Sequence, residues 1–500
     1  MSTAGTADTF STSRFNSSGG SSSSSSLASA FSKLSSFSSS TLRRPLGTGG
    51  SVLGTAGLSA SALYGTSAEE KVVLDIGSFS LRAGFSGDSA PLHTSHLVGE
   101  LSPASVGGSG RRLIGRHRGL YDLPLANADE EVLELLLVEQ VRELYRTQLL
   151  MDPKSRKVAV AEGALLPVPL KRILARVLLG NLRVPQITFY PSSVLALMTC
   201  GLTTGLVVDC GHHGTTVVPV YDARPMAAYV VSTPVGGQLL YKSVRELLKK
   251  FAEFVPFADP ETTEKRSVTD DLLTDELVYH IMTRLLYASP VAVPRALHGE
   301  EFGAGRVSDK LVEWFEQSMT SAHEVTTLTT QGGTLRIPGW VRERAAEVLL
   351  AGDKAEDQAG VVECIAKCLQ LAPIDTRRSL AKKILVVGGV ADLPHLRVRI
   401  LHDLVAHLRT SKGVGSQKWQ ALADYVALAE EPGAALAEAQ EAGAQQQPQA
   451  TGGNGQVFRP SDRCWIGASL AAAARIGGVD VKRDEFDGVN LPDWTTALQS

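Results

Sequence analysis

Two aspartates, each closing an apolar run and each followed two residues later by a glycine, carry the chemistry this sequence can do. Asp75 ends Val72-Val73-Leu74 and is followed by Gly77 and Ser78, while Asp209 ends Leu206-Val207-Val208 and is followed by Gly211. A third apolar run, Ile384 to Val387, leads into Gly388-Gly389. An aspartate at a strand end can hold a hydrated Mg²⁺, a hard cation that takes oxygen ligands. Glycine tolerates positive φ and has no Cβ, so its turn lets backbone N–H groups come close to a polyphosphate. Two such turns face to face would clamp a nucleotide, with Gly388-Gly389 lining its base or sugar. The plainer reading makes Asp75 and Asp209 turn caps. The repetition of the pattern favours the remnant of a nucleotide site.

Such groups need strands to place them. Val72 to Ile76, a turn at Ser78-Phe79-Ser80 and Leu81 to Phe85 read as a hairpin, as do Leu206 to Val220 around Gly211 and Gly214. The two aspartates lie 134 residues apart, about one domain length. The chain is therefore expected to be α/β, with two similar lobes whose strand ends share a cleft.

Around these strands the periodicity predicts helices at 129–150, 170–182, 191–199, 237–251, 270–287, 340–350, 361–371, 396–408 and 464–475. Strands are expected at 158–161 and 187–190, and a hairpin at 327–337 with Gly332-Gly333 in its turn. Residues 91–121, with Arg111, Arg112, Arg116 and Arg118, read as irregular solvated loop, and 288–325 resist assignment. The domain reading is a Ser/Gly-rich disordered tail at 1–67, a first lobe at 68–205 completed by 464–500, and a second lobe at 206–410. Residues 411–463 read as a low-complexity insertion and linker, richest in Ala, Glu and Gln over 430–456. The tail is poor in acids and carries Arg14, Arg43 and Arg44; a flexible extension suits it better than a transit peptide, because its amphipathic pattern is weak.

Composition sets the remaining limits. Lys+Arg 49 against Asp+Glu 52 gives a net charge of -3, so no overall field selects nucleic acid or an anionic membrane. No run of 18 apolar residues is present to span a membrane. Five scattered cysteines suit a reducing compartment better than a disulfide framework. Cys364 and Cys368 lie one helical turn apart and read as core rather than zinc ligands. His212 and His213, beside Cys210, point opposite ways on a strand turn, so no metal site is assigned. Ser192 has no basic partner that would make it a nucleophile.

Val73-Leu74-Asp75-Ile76-Gly77-Ser78, Ala83-Gly84-Phe85-Ser86-Gly87-Asp88, Thr203 to Gly211, Gly388-Gly389 with Leu393-Pro394, and Trp465-Ile466-Gly467-Ala468-Ser469 together resemble the actin family over roughly 71–500. That resemblance implies the actin-like, ribonuclease H-like duplicated fold, with two lobes around a nucleotide cleft. It implies nucleotide contacts from Asp75, Gly77, Ser78, Arg82, Asp209, Gly211, Gly388 and Gly389, and leaves open whether ATP or ADP is held. Within the family, Pro373-Ile374-Asp375-Thr376-Arg377-Arg378 and Leu491-Pro492-Asp493-Trp494 most resemble the actin-related proteins at the pointed end of dynactin. The short stretch between Pro91 and Pro153 implies a reduced second subdomain, as in a subunit that ends a filament without extending it.

Departures from the family bear on chemistry. Ser192 stands where actins carry the glutamine that positions attacking water, and such positioning is most of what a protein contributes to phosphoryl transfer. His212-His213 replace Asp-Gly, which removes an oxygen ligand from the cation site. Phe79 replaces a turn glycine and would be strained there at positive φ. Met282-Thr283 replace a Lys-Glu pair near the adenosine. Hydrolysis is therefore expected to be weak or absent. The resemblance implies a cytoplasmic, cytoskeletal, non-enzymatic subunit whose partners are actin-related filament subunits, other pointed-end subunits of dynactin and, indirectly, cytoplasmic dynein. The alternatives are a polymerising actin-like ATPase and a nuclear actin-related subunit of a chromatin-remodelling complex.

Overall fold

The computed structural model describes residues 70–96, 127–257, 266–294, 297, 307–318, 325–330, 332–353, 356–410, 416–429 and 458–492. The tail at 1–67 and the insertion at 430–456 lie outside the described residues. So do residues 97–126, within the stretch on which a reduced second subdomain was expected.

Five strands open the first lobe: β1 (Val72–Ile76), β2 (Ser80–Phe85), β3 (His93–His96), β4 (Val158–Glu162) and β5 (Gln186–Pro191). Their sheet runs Val479–Lys482, β5, β4, β1, β2, β3. In the second lobe, β6 (Gly205–Cys210) and β7 (Thr215–Tyr221) pair with Ile384–Val387 on one side and the short Arg224–Pro225 on the other. The expected duplication is visible in the pairing. β1 runs antiparallel to β2 and parallel to β4, just as β6 runs antiparallel to β7 and parallel to Ile384–Val387.

Both sheets are covered on two faces, which explains why their central strands are continuous apolar runs. Side chains alternate across a strand. Val72 and Leu74 join a core with Leu133, Leu137, Val141 and Leu144 of the Asn127–Thr147 helix. Val73, between them, faces Trp465 and Ala468 of the Arg463–Ala473 helix. In the second lobe, Leu206 and Val208 face the Gly237–Phe251 and Val361–Leu371 helices, while Val207 faces Val194 and Leu197 of Ser192–Met198.

Several local expectations are corrected. The helix expected at 170–182 is α-helical only over Val168–Ala175 and widens into a π-turn at Arg176–Asn181. The helix expected at 270–287 spans Asp275–Arg284, because the Thr274 side chain caps it by accepting from the N–H of Leu277. The 340–350 helix is two short ones, Gly339–Arg344 and Glu347–Ala351. Part of the loop expected at 91–121 is β3, paired to β2 from Ser80↔His96 to Ala83↔His93. Within the expected linker, Ser416–Ala423 is helical and packs against Leu396–Thr410. No helix among the described residues is long and apolar enough to cross a membrane.

Candidate functional site

The ends of β1, β6 and Ile384–Val387 open on a cleft of about 820 Å³. All eight residues singled out from the sequence line it: Asp75, Gly77, Ser78, Arg82, Asp209, Gly211, Gly388 and Gly389. Ser192, Met282 and Thr283 line it too.

The two turns close alike. Gly77 N–H donates to the Ser80 carbonyl and Gly211 N–H to the Gly214 carbonyl, both at 2.9 Å. The second turn is also joined to the helix beginning at Gly237, whose first N–H groups donate to the carbonyls of Gly211 (3.0 Å) and His212 (2.7 Å). Gly388 has no substitute at its position. Its φ is +94°, and a Cβ there would fall 2.4 Å from the Cys210 carbonyl oxygen and 2.6 Å from an Asp209 carboxylate oxygen.

The cleft floor is acidic. Arg82 lies opposite Asp75 on β2, and its NH1 donates to Asp75 (3.5 Å) and Ser80 Oγ (3.1 Å) while its Nε donates to Asp462 (3.0 Å). Burial raises the Asp75 carboxyl above its usual range against the pull of Arg82. Burial, assisted by the charge of Asp75, pushes Asp209 up to about 6. Desolvation also raises the thiols of Cys464 and Cys210, the latter to about 12. Three carboxylates facing one guanidinium would accept a cation more readily than a bare anion.

Asp462 was missed from sequence because it fell inside the stretch read as linker. The signal available was a polar Arg459-Pro460-Ser461-Asp462 run just ahead of an apolar helix. The structure stitches this run across the floor: Ser461 N–H donates to Asp392 (3.1 Å), Arg459 pairs with Asp392 (2.9 Å), and Gly388 N–H donates to the Pro460 carbonyl (3.3 Å).

Between the two turns stand aromatic rings. Phe79 stacks on His212 with centroids 4.4 Å apart, and Tyr279 and His96 lie 5.0 and 4.7 Å from Phe79. The strain expected at Phe79 is not found, since it does not adopt a positive φ. A nucleotide fits this cleft only in part. The aspartates and the Gly388 cradle suit a cation and a close backbone approach, but the gap a polyphosphate would thread between the turns holds the Phe79 and His212 rings.

Ser192 is the first residue of the Ser192–Met198 helix and is buried. Cys364 and Cys368 are core residues, and the Cys368 thiol donates to the Tyr229 carbonyl at 3.2 Å. Among the described residues no cluster of three or more His, Cys, Asp or Glu is placed to hold a metal.

A family model described as Actin matches residues 66–276. Centractin of Saccharomyces cerevisiae is 25% identical over 359 residues, 69% of this chain and 84% of that protein. Actin-related protein 4 of Arabidopsis thaliana is 25% identical over 305 residues, 54% of this chain, which spans 63% of that relative's length. With two like lobes around one cleft, the chain has an actin-like fold and carries an actin-family domain, with distant homology to these two actin-related proteins.

Proposed function

We propose that this chain is a non-enzymatic, actin-related subunit of the dynactin pointed-end complex, capping an actin-related filament and supporting dynein-driven transport along microtubules. The observation that carries the non-enzymatic part is Ser192. It lines the cleft from the start of its helix with a side chain of one hydroxyl, too short to aim a water across a cleft of this size. Hydrolysis that depends on a positioned nucleophile loses most of its catalysis without that group.

The choice of complex rests on the resemblance at Pro373 to Arg378 and at the C-terminal Leu491-Pro492, and on surfaces rather than the cleft. Arg377 and Arg378 lie over Trp419 and Tyr425, at 4.9 and 4.0 Å from the ring centroids, which fixes the Ile374–Ala381 helix beside the 416–429 segment. Ile374 and Leu371 remain exposed next to it. Near the C-terminus, Lys171 Nζ donates to the Pro492 carbonyl at 2.8 Å and ties that end to the first lobe.

The test is purification of the tagged full-length chain from its own cells, with mass spectrometry of co-eluting chains and a phosphate-release assay on the eluate. Actin-related filament subunits, other pointed-end chains and no phosphate release are the expected result. Chromatin-remodelling subunits in their place would overturn the choice of complex, and phosphate release at the rate of an actin would overturn the non-enzymatic reading.

A further inference from the structure

The rings between the two turns form a continuous series. Phe79 projects from the turn between β1 and β2, and His212 from the turn between β6 and β7; their planes are 21° apart. Tyr279, on the Asp275–Arg284 helix, stacks on Phe79 at 24°, and Tyr241, on the Gly237–Phe251 helix, lies 5.1 Å beyond Tyr279. His96 of β3 also lies against Phe79, with centroids 4.7 Å apart. The far end is anchored, since Tyr241 Oη is within 3.0 Å of Asp275 and accepts from Arg245 NH1 at 3.1 Å. Phe79 and His96 belong to the first lobe; His212, Tyr241 and Tyr279 belong to the second.

We propose that this stack is a clasp that ties the lobes directly through side chains, in the gap a metal-bound polyphosphate would otherwise occupy, and that the chain therefore holds no nucleoside di- or triphosphate. Three observations converge on it. Both turns are already closed by their own backbone bonds, so the rings are presented from rigid supports. Phe79 does not adopt a positive φ, so the ring is held in the turn without left-handed backbone strain. Below the rings, the guanidinium of Arg82 is committed to Asp75 and Asp462 rather than free to meet an anion. A second link, the 459–462 run, joins Arg82 of the first lobe to Gly388 and Asp392 of the second without any ligand. The cleft has the means to stay closed by itself.

The inference does not depend on the dynactin reading, and its readouts use the isolated full-length chain. Wild-type protein is denatured and the released nucleotide measured by chromatography. No stoichiometric nucleotide is expected, and one nucleotide per chain would overturn the proposal. Thermal unfolding is then compared for wild type, Phe79→Leu, His212→Leu and the double variant. Each single change is expected to lower the midpoint by about 2–4 °C, and the double by less than the sum of the two, because both remove the Phe79–His212 contact. Additive losses would overturn the clasp. Should the double variant not fold, amide exchange in Phe79→Leu decides: faster exchange at 211–214, in the opposite lobe, is expected, and unchanged exchange there overturns the proposal.

Discussion

Arg82 and Asp462, 380 residues apart in the chain, are joined at the cleft floor by a 3.0 Å bond from Nε to Oδ1. The same guanidinium reaches Asp75, so one buried cation serves two carboxylates that both have little access to water. Truncating it leaves both acids uncompensated, and breaking a buried pair by removing one partner is costly. Arg82→Met is expected to lose about 2–4 kcal/mol of stability. Arg82→Lys, which keeps the charge but cannot fork between two acids, should lose less. Urea unfolding of the two variants checks the order, and equal stability of wild type and Arg82→Met would refute the role.

Asp209 predicts a pH dependence. Burial first, and the charge of Asp75 second, push its carboxyl up to about 6, against the 3.8 of an ordinary aspartate. A folded pKa above the unfolded one means the native state holds its proton longer. Below pH of about 4 both states are protonated and nothing is lost. From there to about 6 the unfolded chain ionises first, so this group's contribution falls as pH rises, and above that range the penalty is complete. Solvent reaches the carboxyl through the cleft, so the penalty is put at about 1–3 kcal/mol. Asp209→Asn should therefore be the more stable protein at neutral pH and should lack this slope. A difference between the two proteins that does not change from acid to neutral pH would contradict the assignment.

Gly467 gives a prediction with an inverted sign. In the interior of a helix, glycine to alanine is ordinarily stabilising by about 1 kcal/mol. Here a Cβ would stand 2.1 Å from the Leu195 carbonyl oxygen, because Arg463–Ala473 and Ser192–Met198 cross with their backbones in contact. A backbone carbonyl cannot turn aside as a side chain can, so the helices must part. Gly467→Ala is expected to destabilise by about 1–3 kcal/mol, measured by thermal or urea unfolding. A stabilised variant would show that the crossing is looser than described.

What could be read from residues follows physical locality. The Gly237–Phe251 and Val361–Leu371 helices were legible to the residue, because each carries an amphipathic or apolar pattern bounded by glycine, phenylalanine or a following proline. The strands bearing Asp75, Asp209 and Gly388 were legible as apolar runs into glycine turns. β3, His-Thr-Ser-His, was not, since nothing in four polar residues marks a strand apart from the partner β2 that pairs with it. Val479–Lys482 joins the first sheet only through β5. At the site, the eight candidates could be named but not their counterparts. Asp462 meets Arg82, and Phe79 meets His212 and Tyr279, only once the two lobes face each other. A substitution that looked like lost backbone freedom at Phe79 is instead a gained ring contact.

The second lobe is held by a charged cluster far from the cleft, and this gives the last prediction. Glu347 accepts from Arg344 NH1 (3.2 Å) and Arg399 NH1 (2.9 Å) on one oxygen and from Arg399 NH2 (3.0 Å) on the other. All three side chains are nearly inaccessible to water. Arg344 also donates to the Val291 and Ser318 carbonyls and lies over the Trp314 ring, and Arg399 donates to Asp403 and to the Ser289 carbonyl. The cluster therefore joins Glu347–Ala351, Gly339–Arg344 and Leu396–Thr410 to two intervening loop segments. Glu347→Leu removes the carboxylate that two buried guanidiniums share, leaving Arg399 with Asp403 alone and Arg344 with the more distant Glu343 (3.9 Å), and should cost about 3–5 kcal/mol. Replacing Arg344, Glu347 and Arg399 together by Leu or Met removes the desolvation penalty along with the attraction, so the triple variant should be more stable than the single one. Urea unfolding of both variants decides it. A triple variant less stable than Glu347→Leu would mean that the backbone carbonyls these arginines satisfy, rather than the charge balance, govern the folding of the lobe.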